Sequence, residues 1–302
     1  MKMSDIFNSD LVADVANRRV VLFLGAGVSA SAKTDSGDNF KDWKGVLEKA
    51  SQSIGDEGKR ALVQSYVKKG DFLLASELIK KANPTAWGEL LRREFSKTAQ
   101  PSDLHRAIFS LKQRIIITTN FDKLLETFYQ PLTGDAYYPN VKCKVDGGVF
   151  SMLRDDESYI IKLHGTADDE DSIIFDKSSY GASAYGNPAY ADLLNVLLLT
   201  HTFLFIGFSM EDPAISFVVE TFARKYPKMR PHYIFLGEEL DNDVADIWKS
   251  LRKLYVMSYD SSNNHGQLVD YIRQLSDLAV QKRKELFVEV PKGVEVFSEG
   301  DA

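Results

Sequence analysis

Val20-Val21-Leu22-Phe23-Leu24-Gly25-Ala26-Gly27-Val28-Ser29-Ala30 decides the fold. Five consecutive apolar residues, rich in β-formers and stopped by a glycine, read as a short strand buried on both faces. Small residues then lead into a helical stretch. Such a turn lets backbone approach a diphosphate, and the next helix offers free N–H groups and the positive end of its dipole. Ser29 adds a hydroxyl donor. A glycine-rich turn alone can equally serve to pack a helix tightly on a strand, but its place directly behind a buried strand favours nucleotide binding.

Two established schemes compete for this turn. A dehydrogenase fingerprint, Gly25-x-Gly27-x-x-Ala30, needs an acidic residue about twenty positions on, at the end of a second strand. Glu48 stands near that spacing, but inside a helical pattern. A P-loop reading puts Ala32 where glycine is expected before Lys33-Thr34, and no apolar strand ending in Asp follows to hold magnesium.

Further apolar runs follow at 115–117, 159–161, 203–206, 233–236 and 254–257. Between most of them lie amphipathic helical stretches, at 121–130, 188–200, 211–225, 241–251 and 266–285. Apolar strands alternating with helices predict an α/β, Rossmann-like parallel sheet with helices on both faces. A helix is also expected over 4–17. Residues 38–112 break the alternation. They carry helical patterns and no convincing strand, and so predict a helical insertion after the first strand, within one domain spanning 1–285. Residues 131–158 read as an irregular connection with short strands around Val141 to Val145. Residues 286–302 alternate around Pro291-Lys292-Gly293, which suggests a C-terminal hairpin or arm that contacts a neighbouring subunit.

Composition bounds the function classes. With 44% hydrophobic and 26% charged residues, the chain reads as an ordinary soluble globular protein. A net charge of −6 argues against a surface built to coat nucleic acid. Cys143 is the only cysteine, so no intramolecular disulfide and no cysteine-rich zinc site can form, which suits a cytoplasmic protein. Residues 1–8 lack an apolar signal core, and runs such as Leu193 to Leu199 are too short to span a bilayer.

Three more motifs stand at strand exits. Thr118-Thr119-Asn120-Phe121-Asp122 brings an amide that both donates and accepts, and a carboxylate that accepts. Helix capping explains Asn or Asp at such a junction equally well. Lys162-Leu163-His164-Gly165 offers an imidazole, the group best suited to proton transfer near neutral pH, with Gly165 leaving room beside it. Gly207-Phe208-Ser209-Met210-Glu211-Asp212-Pro213 ends a strand in glycine and a hydroxyl, and Pro213 falls in the first turn of a helix.

Gly-Ala-Gly-x-Ser, Thr-Asn-x-Asp, His-Gly and Gly-x-Ser, in that order and each at a strand exit, form a set that resembles the sirtuin family over most of residues 10–260. The four-cysteine zinc ribbon of sirtuin deacylases is missing, so no zinc is expected and a peptide-deacylase activity is disfavoured. The chain looks like the bacterial sirtuin-like proteins of antiphage defence, whose members hydrolyse NAD. The resemblance implies Asn120 and His164 as catalytic residues. It implies Gly25, Ala26, Gly27, Ser29, Thr119, Asp122, Gly207 and Ser209 as the NAD-binding set, with NAD as substrate. It further implies a homo-oligomer, or assembly with a HerA-type hexameric ATPase, as in one such group. The alternative is a catalytically silent NAD- or ADP-ribose-sensing subunit that regulates such an ATPase. No direct nucleic-acid binding and no membrane association are expected.

Overall fold

The computed structural model describes residues 7–288. Its centre is a seven-stranded, all-parallel sheet of order β3-β4-β2-β1-β5-β6-β7. The strands are β1 (Val20–Leu24), β2 (Ile115–Thr118), β3 (Asn140–Lys142), β4 (Tyr159–Lys162), β5 (Thr202–Ile206), β6 (His232–Leu236) and β7 (Leu254–Ser258). The four strands β1, β2, β4 and β5 are buried along their whole length, which is why they read as uninterrupted apolar runs. In β1, Leu22 and Leu24 face one layer while Val21 and Phe23 face the other.

The first layer packs α1 (Ser9–Ala16), α7 (Asp103–Ser110), α8 (Leu124–Thr133) and α13 (Gly266–Val288) against Leu22, Ile116 and Leu204. The second packs α10 (Pro188–Thr200) and α11 (Pro213–Lys225) against Phe23, Ile117 and Phe205. Helix α12 (Asn242–Arg252) joins β6 to β7. A five-residue helix, α2 (Ala26–Ala30), follows β1 directly.

Between α2 and α7 the chain forms α3 (Trp43–Ser51), α4 (Glu57–Lys69), α5 (Phe72–Ala82) and α6 (Pro84–Phe95). These helices build their own apolar cluster around Leu47, Ile79 and Trp87, which also takes in Phe121, Ala167 and Phe175. Those last three residues belong to the loops after β2 and β4, so the insertion is seated on the strand-end loops. The short helix α9 (Lys177–Ser179) and a π-helical turn at Tyr180–Tyr185 complete that side.

The chain runs outward from β1 through β2 to β4, then returns to place β5 on the other flank of β1. The reversal makes a topological switch point at the carboxyl end of β1. That is where open α/β sheets bind ligands.

Several boundaries differ from the sequence reading; α11 starts two residues later than expected and α12 is shifted by one. Helix α1 starts at Ser9, capped by the Asn8 side chain. Helix α8 starts at Leu124, because 121–123 turn back over the sheet end. The one short strand in 131–158 is β3, slightly earlier than expected. Helix α13 continues to Val288, so the start of the expected arm at 286–302 is helical, and its remainder lies outside the described residues.

Candidate active site

The glycines of the first and fourth motifs meet each other. Gly25 N–H donates to Ile206 O at 3.0 Å, and Gly27 N–H donates to Gly207 O at 2.9 Å. A Cβ on Gly25 would lie 2.3 Å from Gly207 O, and one on Gly27 would lie 2.9 Å from Gly207 Cα. Gly207 itself has φ +63, and its Cβ would fall 2.7 Å from Val28 N. The three positions are glycine because two backbones touch there, and Gly207 also needs the left-handed region. The turn that reads as a diphosphate cradle is thus first a weld between the ends of β1 and β5. Ala26 is half-buried beside it.

The second motif closes onto the same turn. Thr118 Oγ1 donates to Leu24 O at 2.8 Å and accepts Asn120 N–H at 3.0 Å, which fixes the chain leaving β2. Asn120 Nδ2 then donates to Gly25 O at 2.9 Å and to Ser29 Oγ at 2.7 Å. Ser29 Oγ donates to Asp122 Oδ2 at 2.6 Å. The other carboxylate oxygen of Asp122 accepts Leu124 N–H at 3.0 Å, so this residue both starts α8 and belongs to the polar chain. Ser29, Thr119, Asn120 and Asp122 are all buried.

Lys162 supports that loop from below. Its side chain is fully buried, and its ammonium donates to the carbonyls of Phe121 and Asp122 and to Glu126 Oε1, the last at 3.0 Å. A buried cation persists only with such partners. The sequence signal was present, since a lysine closes an otherwise apolar buried strand, but its role was not read from it.

His164 is also fully buried, in a second polar group. Its Nε2 lies 3.3 Å from the Tyr190 hydroxyl and 3.4 Å from Asp212 Oδ2, and Tyr180 donates to that same oxygen at 2.6 Å. Its Nδ1 is buried without a partner among the described residues. Burial pushes the imidazole pKa down, partly opposed by the Asp212 charge, and pushes both phenols up. Gly165 has φ +85, and a Cβ there would meet Ser172 O at 2.2 Å. Its smallness therefore admits the Ser172 backbone, rather than space beside the imidazole.

Ring contacts run from Trp43, in the wall of the cleft beside the first polar group, to His164 in the second. Trp43 lies 6.2 Å from Tyr180, and Tyr180 lies 5.2 Å from His164. A cleft at the switch point is lined by Ala26, Ser29, Trp43, Thr119, Asn120 and Asp122, among others. Its volume is only about 20 Å³, and His164 is not in its lining. Ser209 is exposed, with its hydroxyl 3.1 Å from Glu211. With Lys162, the residues here that sequence reading does not assign are Asp212, Tyr180, Tyr190 and Trp43.

A larger cavity, about 230 Å³, lies at the opposite end of β1 and β2, lined by Arg18, Gln113, Tyr129 and Arg283 among others. Arg283 is occupied there by the carbonyls of Val15 and Ala16 at the end of α1, and Gln113 by those of Val15 and Leu111. These are capping contacts, and the cavity is remote from the four motifs. The switch-point cleft is the better candidate.

Residues 114–256 match the SIR2-like domain, which takes in the last three motifs and leaves the glycine turn outside. The chain is 24% identical over 298 residues to the NAD(+) hydrolase ThsA of Bacillus cereus (strain MSX-D12), covering 92% of this chain and 58% of that protein. It is 30% identical over 200 residues to the NAD(+) hydrolase ThsA of Cytobacillus dafuensis, covering 66% and 37%. It is 21% identical over 290 residues to the Defense-associated sirtuin 2 of Bacillus subtilis, covering 90% and 26%. The chain thus spans little more than half, or less, of the length of these relatives.

Proposed function

We propose that this chain, whose residues 114–256 carry a SIR2-like domain, hydrolyses NAD at the nicotinamide–ribose bond, giving nicotinamide and ADP-ribose in antiphage defence. The observation that carries the reading is the chain Gly25–Asn120–Ser29–Asp122, which draws two distant motifs together at the switch point. The relatives named NAD(+) hydrolases support the reaction.

Nicotinamide leaves readily because its departure neutralises a pyridinium. The C1′–N bond breaks with both electrons going to the ring nitrogen, and a water oxygen bonds to the cation-like C1′. In this reading Asp122 faces the carboxamide and Asn120 holds the ribose and water. His164 takes the proton, from the water or a ribose hydroxyl, as general base. Gly25, Ala26, Gly27 and Ser29 lie along the diphosphate, with Thr119 in the cleft wall. Gly207 and Ser209 lie on the adenosine side. The Gly27 N–H is already given to Gly207, so that glycine contributes close backbone approach rather than a donor.

Ligand pockets typically measure roughly 300–1,000 Å³. Admitting a dinucleotide therefore requires the cleft to widen, and Phe40, Lys41 and Trp43 are its wall on the insertion side. The substrate pool would be cytoplasmic NAD.

Assembly belongs to the same proposal, as a homo-oligomer or with a HerA-type hexameric ATPase. Val244, Ile247 and Leu251 support it, since they leave an apolar stripe exposed along α12, a helix that buries none of its residues. Among the described residues, no helix is long and apolar enough to cross a membrane.

The decisive experiment separates products by chromatography after incubating the protein with NAD, alone and with candidate ATPases. Nicotinamide and ADP-ribose in equal amounts are expected. Intact NAD in every mixture, with ADP-ribose still bound, would instead make the chain a sensing subunit.

A further inference from the structure

We propose that Asp212 is the positioning carboxylate of His164, with one oxygen built into a helix and the other, held by Tyr180, facing the imidazole. This rests on the reading of His164 as general base. The argument goes oxygen by oxygen. Asp212 is the N-cap of α11, and its Oδ1 accepts the N–H groups of Ala214 and Ile215, both at 3.0 Å. Pro213 at the first helical position holds the entry of the chain. The carboxylate is therefore immobilised by the helix itself. Its Oδ2 then accepts the Tyr180 hydroxyl at 2.6 Å and stands 3.4 Å from His164 Nε2.

An ionised carboxylate can only accept. Nε2 lies 3.3 Å from the Tyr190 hydroxyl and 3.4 Å from Oδ2, so a hydrogen placed on Nε2 has the hydroxyl as its hydrogen-bond acceptor and the carboxylate charge beside it. That leaves the Nδ1 lone pair free, and Nδ1 is the ring nitrogen that is buried without a partner among the described residues. The reaction proton goes to Nδ1, Nε2 keeps its own, and Asp212 stays ionised beside the imidazolium. Such a charge in a fully buried site needs a neighbouring anion. Among the described residues Asp212 is the carboxylate paired with the ring, and Tyr180 and Tyr190 are its polar neighbours.

The bland alternative is that Asp212 only caps α11. Asp212→Asn separates the two roles. Its amide oxygen can still accept from Ala214 and Ile215, while its NH₂ faces the imidazole, draws the Nε2 lone pair and moves the ring hydrogen to Nδ1. We expect a folded protein with unchanged KM for NAD and kcat lower by about 10²–10⁴-fold, the scale of losing a base or its correct tautomer. Asp212→Ser, which caps helices well but carries no carboxylate, should lose kcat likewise.

The ¹⁵N shifts of labelled histidine in the wild-type chain read the tautomer without any variant. They should report His164 protonated on Nε2, and a ring protonated on Nδ1 would overturn the assignment. So would a folded Asp212→Asn or Asp212→Ser protein with wild-type kcat while His164→Ala is inactive. Full turnover by His164→Ala would instead remove the underlying reading of His164, and this inference with it.

Discussion

The Ser29 hydroxyl donates a 2.6 Å hydrogen bond to the Asp122 carboxylate across 93 residues of sequence. The same oxygen accepts from Asn120 Nδ2 at 2.7 Å. One small side chain therefore uses its donor and an acceptor position to join the glycine turn to the loop after β2. Ser29→Ala leaves a buried carboxylate oxygen and a buried amide hydrogen each short of a partner. A loss of about 1–3 kcal/mol in stability is expected, measured by urea denaturation. Nicotinamide release should fall as well, because Asn120 and Asp122 lose their common anchor.

Asn120→Ala and His164→Ala test the chemistry itself. Each should reduce nicotinamide release by at least about a hundredfold in a protein that remains folded by circular dichroism. Full activity in either folded variant would reject that residue's role.

The weld between β1 and β5 has a steric signature. Gly25→Ala places a methyl 2.3 Å from Gly207 O, and Gly207→Ala forces a side chain at φ +63, 2.7 Å from Val28 N. Each should cost about 1–3 kcal/mol and lower the thermal midpoint. Gly37→Ala, where no atom lies within 4 Å of the added Cβ, separates the two contributions, since its φ of +87 carries backbone strain without a clash. If Gly25→Ala proves no less stable than the wild type, the close approach is wrong.

Removing the Lys162 cation should be more damaging than its position suggests. Lys162→Met takes the ammonium from the Asp122 carbonyl, leaves the Phe121 carbonyl to the Ala167 N–H, and leaves Glu126 beside them without its cation. Breaking a buried pair from one side costs about 3–5 kcal/mol. Adding Glu126→Gln to that variant should recover part of the loss, which a double-mutant cycle of unfolding free energies would reveal. Strict additivity would mean that the two residues do not interact.

Acid should destabilise the protein well above the carboxylate range. Burial lowers the pKa of His105 and of His232 from 6.5 to about 4, with Arg230 adding to the effect at His232. Between those values the unfolded chain holds more protons than the folded one, so stability falls as pH drops through that window. The two together should cost on the order of several kcal/mol by the bottom of it. His232→Asn supplies an amide oxygen for Phe203 N–H, which His232 Nδ1 now accepts, and removes one titration. Its stability should depend less steeply on pH between 7 and 4.5, and an unchanged slope would count against burial as the cause.

Much of the sheet could be read from local pattern. A central parallel strand is covered on both faces, so β1, β2, β4 and β5 appear as unbroken apolar runs. Edge strand β3, Asn140-Val141-Lys142, has one apolar residue and gives almost no signal. Helix α10 matched its expected span of 188–200 because Asn187 and Pro188 mark its start with strong capping chemistry. Helix α8 did not, because its N-cap Lys123 provides no side-chain cap and Asp122, one residue earlier, does the work.

The candidate site divides in the same way. Asn120, His164 and the glycines are legible in the sequence only as a set, through the resemblance of four ordered motifs to the sirtuin family, each at a strand exit where α/β sheets bind ligands. Sequence could not say that Gly25 and Gly27 are glycines on account of Gly207, that Lys162 holds up the Asn120 loop, or that Asp212 faces His164. Each of those facts joins residues many positions apart. Hydrophobic periodicity reports only whether a residue is covered, whereas the partner of a buried polar atom is fixed by which strand lies beside which, and that order is set when the whole sheet assembles.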